Sequence, residues 1–323
     1  MEINRRELIV NTGVLAAASA ASAAFGQEST AKTWYDRPMR WAQLAFVEDD
    51  PGHYKASFWL DYYKRIHADA VCLSAGGCVA FYPTKIPLHY RSKFLGNSDT
   101  FGEMVTGCRQ LGMNIIARVD PHAAHQDVFD AHPDWIALEA NGQPYRHWAM
   151  PTSWVTCALG PYNFEFMTGV IREIMTMYKV DGIFANRWSG SGMCYCQHCQ
   201  KNFRDFSGMD LPRTANAPAA PGGAARGAGG GRGGVGGGRG AAGAPSEAQT
   251  QYAAWHRKRL LELYNLWEGE IHKINPEAAF FPNGFDQIRE NVSVPILLKT
   301  SEGIRAHSPL GCKPPQSPTC LSR

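Results

Sequence analysis

Val180-Asp181-Gly182-Ile183-Phe184-Ala185-Asn186-Arg187-Trp188 is a short apolar run that breaks into a polar pair. A run of this length, bounded by turn or polar residues, reads as a buried strand over Gly182 to Ala185 with Asn186 and Arg187 just past its end. Runs of the same kind lie on either side. Arg40 to Val47, Ala70 to Ser74 with a short extension at Val79 to Tyr82, and Asn114 to Val119 precede it, and Ala278 to Phe281 follows. Between them lie helical patterns at Ser57 to His67, Thr100 to Leu111, Asn163 to Tyr178, Cys199 to Phe206 and Gln251 to Ile274. In the last of these, Leu260, Leu263, Leu266, Trp267 and Ile271 recur at helical spacing. Strands alternating with helices argue for βαβ units around a parallel sheet. The predicted fold class is therefore α/β, a (β/α)8 barrel of the TIM type. It is incomplete, with about five β/α units where a closed barrel has eight in about 250 residues.

The organisation around these units is uneven. Residues 34–213 read as the N-terminal part of the barrel and 248–285 as its continuation. Residues 214–247 form a Gly/Ala-rich insertion whose arginines, Arg226, Arg232 and Arg239, have no aromatic residue beside them. Such a tract cannot bury a core and reads as a flexible linker; an RGG-like RNA-binding segment would need stacking aromatics. From 286 to 323 periodicity is lost, and the end is rich in Pro, Ser and Cys. This tail reads as divergent or truncated, or else as an ordinary irregular loop. Residues 1–26 carry Arg5 and Arg6 ahead of an alanine-rich, weakly apolar stretch, which reads as a twin-arginine-type signal peptide. An N-terminal membrane anchor is the alternative, but Asn11, Thr12 and Gly13 make the stretch polar for one. The expected location is periplasmic or secreted.

Composition narrows the partners. Across 323 residues the chain is 44% hydrophobic and 19% charged, with a formal net charge of +3. That supports a globular core but no field strong enough to select nucleic acid, and no stable membrane insertion is expected. Partners must be argued from the sites instead, with an oligomer left open.

Three clusters carry chemistry. Cys194-Tyr195-Cys196-Gln197-His198-Cys199 packs three thiols into one turn between a strand and a helix, as metal knuckles do. Cys157, just before the helix leading into the Gly182 strand, is a candidate fourth ligand, with His198 as the alternative. A closed tetrahedral zinc would fix loops and leave no position for water. Oxidation to disulfides is the competing fate in an exported protein, and Cys72, Cys78 and Cys108 read as buried inert thiols.

The second cluster follows the Asn114 strand. Arg118, Asp120, His122, His125 and Asp127 stand there, then His132-Pro133-Asp134-Trp135 and Arg146-His147-Trp148. Residues at the C-terminal ends of barrel strands face the active site, which places Asp120 and His122 there. Trp135, His147 and Trp148 are candidate platforms for sugar rings. A second metal at Asp120, His122 and His125 is a further reading, and a helix cap formed by His132 and Asp134 a plainer one. Asn186 and Arg187 form the third cluster and read as substrate-orienting groups. Asp181 starts its strand, where binding backbone amides competes with catalysis. Glu48, Asp49 and Asp50 add carboxylates after the first strand. Glycoside hydrolysis uses two carboxyl groups, and Asp120 and Glu48 are the candidate pair.

Several stretches together resemble the hypothetical glycosyl hydrolase 6 proteins: Arg40-Trp41-Ala42-Gln43, Gly76 through Thr84, Ala131 through Trp135, Cys157 through Phe164, and Asn186-Arg187-Trp188 through Cys199. The resemblance covers roughly Arg40 to Pro212 and implies a barrel with glycoside hydrolase activity. More distantly the chain is similar to the family-42 β-galactosidases. That likeness implies zinc held by Cys157, Cys194, Cys196 and Cys199. It also implies an Asn-Glu pair after the fourth strand as acid/base, where this chain has Asn186-Arg187. Arginine cannot exchange a proton at neutral pH. The rival expectations are accordingly a carbohydrate-binding protein without hydrolysis and an inactive fragment.

Overall fold

The computed structural model describes residues 33–190, 192–213, 245–284 and 288. The expected signal peptide, nearly all of the Gly/Ala-rich insertion and, apart from residue 288, the tail lie outside the described residues. Residues 33–37 belong to a unit of their own, a single 3-10 turn at Trp34–Asp36 in which the Thr33 hydroxyl donates to the Asp36 carboxylate at 2.8 Å. Everything below concerns the second unit, which begins at Pro38.

Its centre is a five-stranded parallel sheet. In chain order the strands are β1 (Trp41–Leu44), β2 (Ala70–Gly77), β3 (Asn114–Asp120), β6 (Gly182–Ala185) and β7 (Ala279–Pro282), and they neighbour one another in that same order. The remaining two, β4 (Ala123–Ala124) and β5 (Trp154–Val155), pair antiparallel beyond the end of β3. Helices α1 (Ala56–Arg65), α2 (Thr100–Gln110), α4 (Thr168–Tyr178) and α6 (Glu247–Ile274) fill the crossovers. The short α3 (Gln126–Ala131) and α5 (Gln197–Ser207) sit in the loops after β3 and β6. Sequential parallel strands joined by helices make an incomplete (β/α) barrel.

Sequence chemistry explains these elements locally. Every residue of β2 is buried, which is why it reads as an unbroken small-apolar run instead of an alternating one. At the start of α6, Ser246 accepts the Gln249 N–H and Gln249 returns a carbonyl to the Ser246 N–H, a reciprocal cap. Asp99 accepts the Gly102 N–H at the start of α2, and α5 stops at Gly208 in the left-handed conformation. Trp267 of α6 is fully buried and its indole N–H donates to the Asn163 carbonyl and the Thr168 hydroxyl. It thereby locks α6 against the start of α4, and truncating such a side chain costs about 3–5 kcal/mol.

Three differences from the sequence reading bear on the site. β1 is shorter than Arg40 to Val47 because the chain leaves the sheet after Leu44, where the Phe46 N–H turns to the Ser74 hydroxyl. Val79 to Tyr82 is no strand; one bridge joins Ala80 to Arg91, because the positive φ of Gly77 (106°) turns the chain out of the sheet. The helix expected from Asn163 begins as a π-helix over Tyr162–Met167, in which the Asn163 amide donates to the carbonyls of Ala158 and Trp188. No helix among the described residues is long and apolar enough to cross a membrane.

Candidate active site and metal centre

Asp120 ends β3 and is the hub of the C-terminal mouth. Its carboxylate takes two hydrogen bonds from Arg118, at 2.8 and 3.0 Å, and one from the Asn186 amide at 2.5 Å. Asn186 follows β6, and its carbonyl accepts from Asn283, just past β7, at 2.8 Å. Three neighbouring strands therefore deliver one polar chain across the mouth, as the end-of-strand rule anticipates. Burial works to raise the Asp120 pKa, but the Arg118 charge and its hydrogen bonds outweigh it, helped by His122 and the Asn186 amide. The carboxyl is held below the usual range and is ionised at neutral pH. Its side chain keeps 20% exposure.

The loop after β2 fixes Asp120 from the other side. The Cys78 N–H donates to the Asp120 carbonyl at 2.8 Å and the Cys78 thiol to the same oxygen at 3.0 Å. This approach requires glycine at 77, where a Cβ would lie 2.4 Å from that oxygen. A buried chain holds the turn: Gly77 N–H donates to His89 Nε2 at 3.1 Å, so the imidazole proton is on Nδ1, facing the Thr84 hydroxyl at 3.1 Å. Thr84 in turn donates to Glu173 on α4 at 2.6 Å. Burial pushes His89 down to a pKa of about 4, so it is neutral.

The aromatic wall is the second part of the mouth. His147 stacks on Trp148 with centroids 3.9 Å apart, His122 lies 5.2 Å from His147 and 5.7 Å from Trp148, and the Arg187 guanidinium sits 4.4 Å over Trp148. Burial, with Arg187 reinforcing it, lowers both histidines to about 4. Arg187 has φ 54°, a left-handed conformation uncommon for a non-glycine residue and frequent at functional sites.

Glu48 occupies a neighbouring patch. Tyr90 donates to its carboxylate at 2.6 Å and stacks on His125 at 3.6 Å. Tyr90 also packs against the small cluster that contains Cys78, so the Glu48 patch adjoins the segment that holds Asp120. Trp135 is not part of either group. It stacks on His132 at 3.9 Å and packs on Tyr162 and Phe166. Asp181 accepts the Ile115 N–H at 2.7 Å at the opposite end of the sheet, the structural role weighed for it. Cys72 and Cys108 are buried thiols raised to about 12 by burial.

The four cysteines meet. The sulfurs of Cys157, Cys194, Cys196 and Cys199 all lie within 4.8 Å of one another, with Cys157 to Cys199 at 3.4 Å and Cys157 to Cys196 at 3.6 Å. These contacts are far too long for disulfides, and the thiols are free. Sulfurs about 2.3 Å from a tetrahedral zinc are about 3.8 Å apart, so the spacing and the all-thiol donor set suit one metal ion. The knuckle is tied down around the four sulfurs. Cys157 N–H donates to the Trp135 carbonyl at 2.7 Å, and His198 pairs with Asp134 at 2.7 Å, which makes His198 a neighbour and not the fourth sulfur's substitute. Hydrogen bonding among the four thiols lowers the Cys196 pKa. Asp120, His122 and His125 form no comparable metal-holding group among the described residues.

Residues 56–187 match the family model Hypothetical glycosyl hydrolase 6. The matched segment contains Asp120, His122, Asn186 and Arg187 and ends just before the cysteine knuckle. No curated protein matches the chain. Among solved structures it is similar to α-L-fucosidase isoenzyme 2 from Paenibacillus thiaminolyticus, at 16% identity and a TM-score of 0.55 over 76% of this chain and 32% of that one. It is also similar to the β-galactosidase of the psychrophilic Marinomonas ef1, at 11% identity and a TM-score of 0.49 over 76% of this chain and 37% of that one. The fucosidase likeness establishes the barrel-type fold. The chain spans about a third of the length of these two structures.

Proposed function

We propose that the protein is a glycoside hydrolase that binds a carbohydrate at the C-terminal mouth of its barrel. The observation that carries this reading is the ionised Asp120, held by Arg118 and Asn186 beside the wall of His122, His147 and Trp148. An anionic carboxylate suits the nucleophile or base of glycoside hydrolysis, and Glu48 is the second carboxyl of the pair, the one that protonates the leaving oxygen. Trp148 keeps 37% of its surface exposed for contact with a sugar, and Asn186 and Arg187 orient the sugar's polar groups. The family match at residues 56–187 supports the same class.

The metal of this reading is a structural zinc. Cys157, Cys194, Cys196 and Cys199 would hold it, and a closed four-thiolate set supplies no open position for water. Its role is to join the β5 and β6 loops that flank the mouth. Export by the twin-arginine route to the periplasm or beyond, inferred from Arg5 and Arg6, fits metal loading before transport.

A second reading is a carbohydrate-binding protein without turnover. Arg187 supports it, standing where the family-42 likeness expects the acid/base glutamate. Saccharide binding followed by Trp fluorescence, with His122→Ala and Trp148→Ala beside the native chain, tests the shared part of both readings. Binding weakened by each change supports the mouth; binding indifferent to both refutes it.

A further inference from the structure

Two donors at the mouth, on Arg187 and His147, are left without a hydrogen-bond partner among the described residues. Arg187 is half-buried over Trp148, and no carboxylate among the described residues pairs with it, whereas Arg118, the other mouth arginine, is bound to Asp120. A partly desolvated guanidinium without a counter-ion is unfavourable unless a ligand supplies one. His147 gives the second observation. It is 5% exposed, and its Nδ1 accepts the N–H groups of Ala149 and Met150 at 3.2 and 3.0 Å, so its proton must be on Nε2. That buried N–H has no partner among the described residues. The Asp120 carboxylate, by contrast, is engaged by Arg118 and Asn186, and the Asn186 carbonyl by Asn283.

We propose that the mouth is selective for an acidic saccharide, whose carboxylate or sulfate substituent is bound by Arg187. The inference rests on the carbohydrate reading above and names its substrate class. A planar guanidinium pairs with such oxyanions through two parallel hydrogen bonds, a geometry that a lysine cannot reproduce. The contact with Trp148 holds the guanidinium over the ring. The left-handed backbone at Arg187 is the conformation that sends the chain from β6 past Trp148.

Calorimetric titration of the full chain with glucose, glucuronate and a glucose sulfate ester tests this, with Arg187→Gln and Arg187→Lys beside it. The acidic sugars should bind about tenfold tighter than glucose or more. Arg187→Gln should erase that advantage, and Arg187→Lys should keep part of it. Preference for glucuronate assigns the carboxylate and preference for the ester assigns the sulfate. Acidic sugars that bind no tighter than glucose, or an advantage that survives Arg187→Gln, would overturn the inference. If neutral aryl glycosides are cleaved without any acidic preference, the inference fails and the hydrolase reading stands. Arg187-dependent binding of acidic sugars with no glycoside cleaved has the opposite meaning.

Discussion

Replacing His89 with glutamine should flatten the acid limb of the protein's stability curve. The imidazole is 4% exposed, with Nε2 accepting from Gly77 and Nδ1 facing Thr84. Protonating Nε2 would break the Gly77 bond and bury a charge. Burial accordingly depresses the pKa from 6.5 to about 4, with Glu173 offsetting part of the effect. The unfolded chain takes up this proton near the ordinary value, so between the two pKa values it binds more protons than the folded chain. Stability then falls as pH falls through that window, by about 1.4 kcal/mol per unit, or about 2.7 kcal/mol over two units. Glutamine keeps an acceptor for Gly77 but does not titrate. Urea unfolding from about pH 7.5 down to about pH 4.5 measures the difference between the two proteins, in which His122 and His147 cancel. Native and variant chains that lose stability in parallel would refute the reasoning.

Other perturbations probe other parts. Cys157→Ser and Cys196→Ser should each abolish stoichiometric metal, read by mass spectrometry of the native protein; a bound ion in either variant would contradict the four-thiolate site. Gly77→Ala should lower stability and weaken saccharide binding together, because its Cβ meets the Asp120 backbone at 2.4 Å; an unchanged melting temperature would show that the turn yields freely. Asp181→Ala should cost about 1–3 kcal/mol by orphaning the Ile115 N–H, while saccharide affinity stays as it was.

The fold was legible wherever a short apolar run had polar ends. Gly182 to Ala185 appears in the sheet with the boundaries read from sequence, and Asn186 and Arg187 stand at its mouth end. The Cys-x-Cys-x-x-Cys knuckle was legible because its spacing is local; Cys157, read as a candidate partner from its place ahead of the next helix and from the resemblance, lies beside Cys196 and Cys199. What the sequence hid depends on distant partners. His89 lies in an irregular loop, and its meaning comes from Gly77 and, through Thr84, from Glu173 on α4. Cys78 read as inert because its local run is apolar, yet it grips the Asp120 carbonyl. Trp135 matched the aromatic pattern of a sugar platform, but His132 stacks on it and Tyr162 packs against it.

The most direct test is hydrolysis of a panel of neutral and acidic aryl glycosides by the native chain and by Asp120→Asn. Asparagine keeps the shape and the Asn186 contact but removes the charge that Arg118 stabilises. Turnover by the native chain that falls by about two orders of magnitude or more in Asp120→Asn is the predicted result. Turnover that survives the substitution would contradict the assignment of Asp120, and binding without turnover in the native chain would contradict catalysis at this mouth.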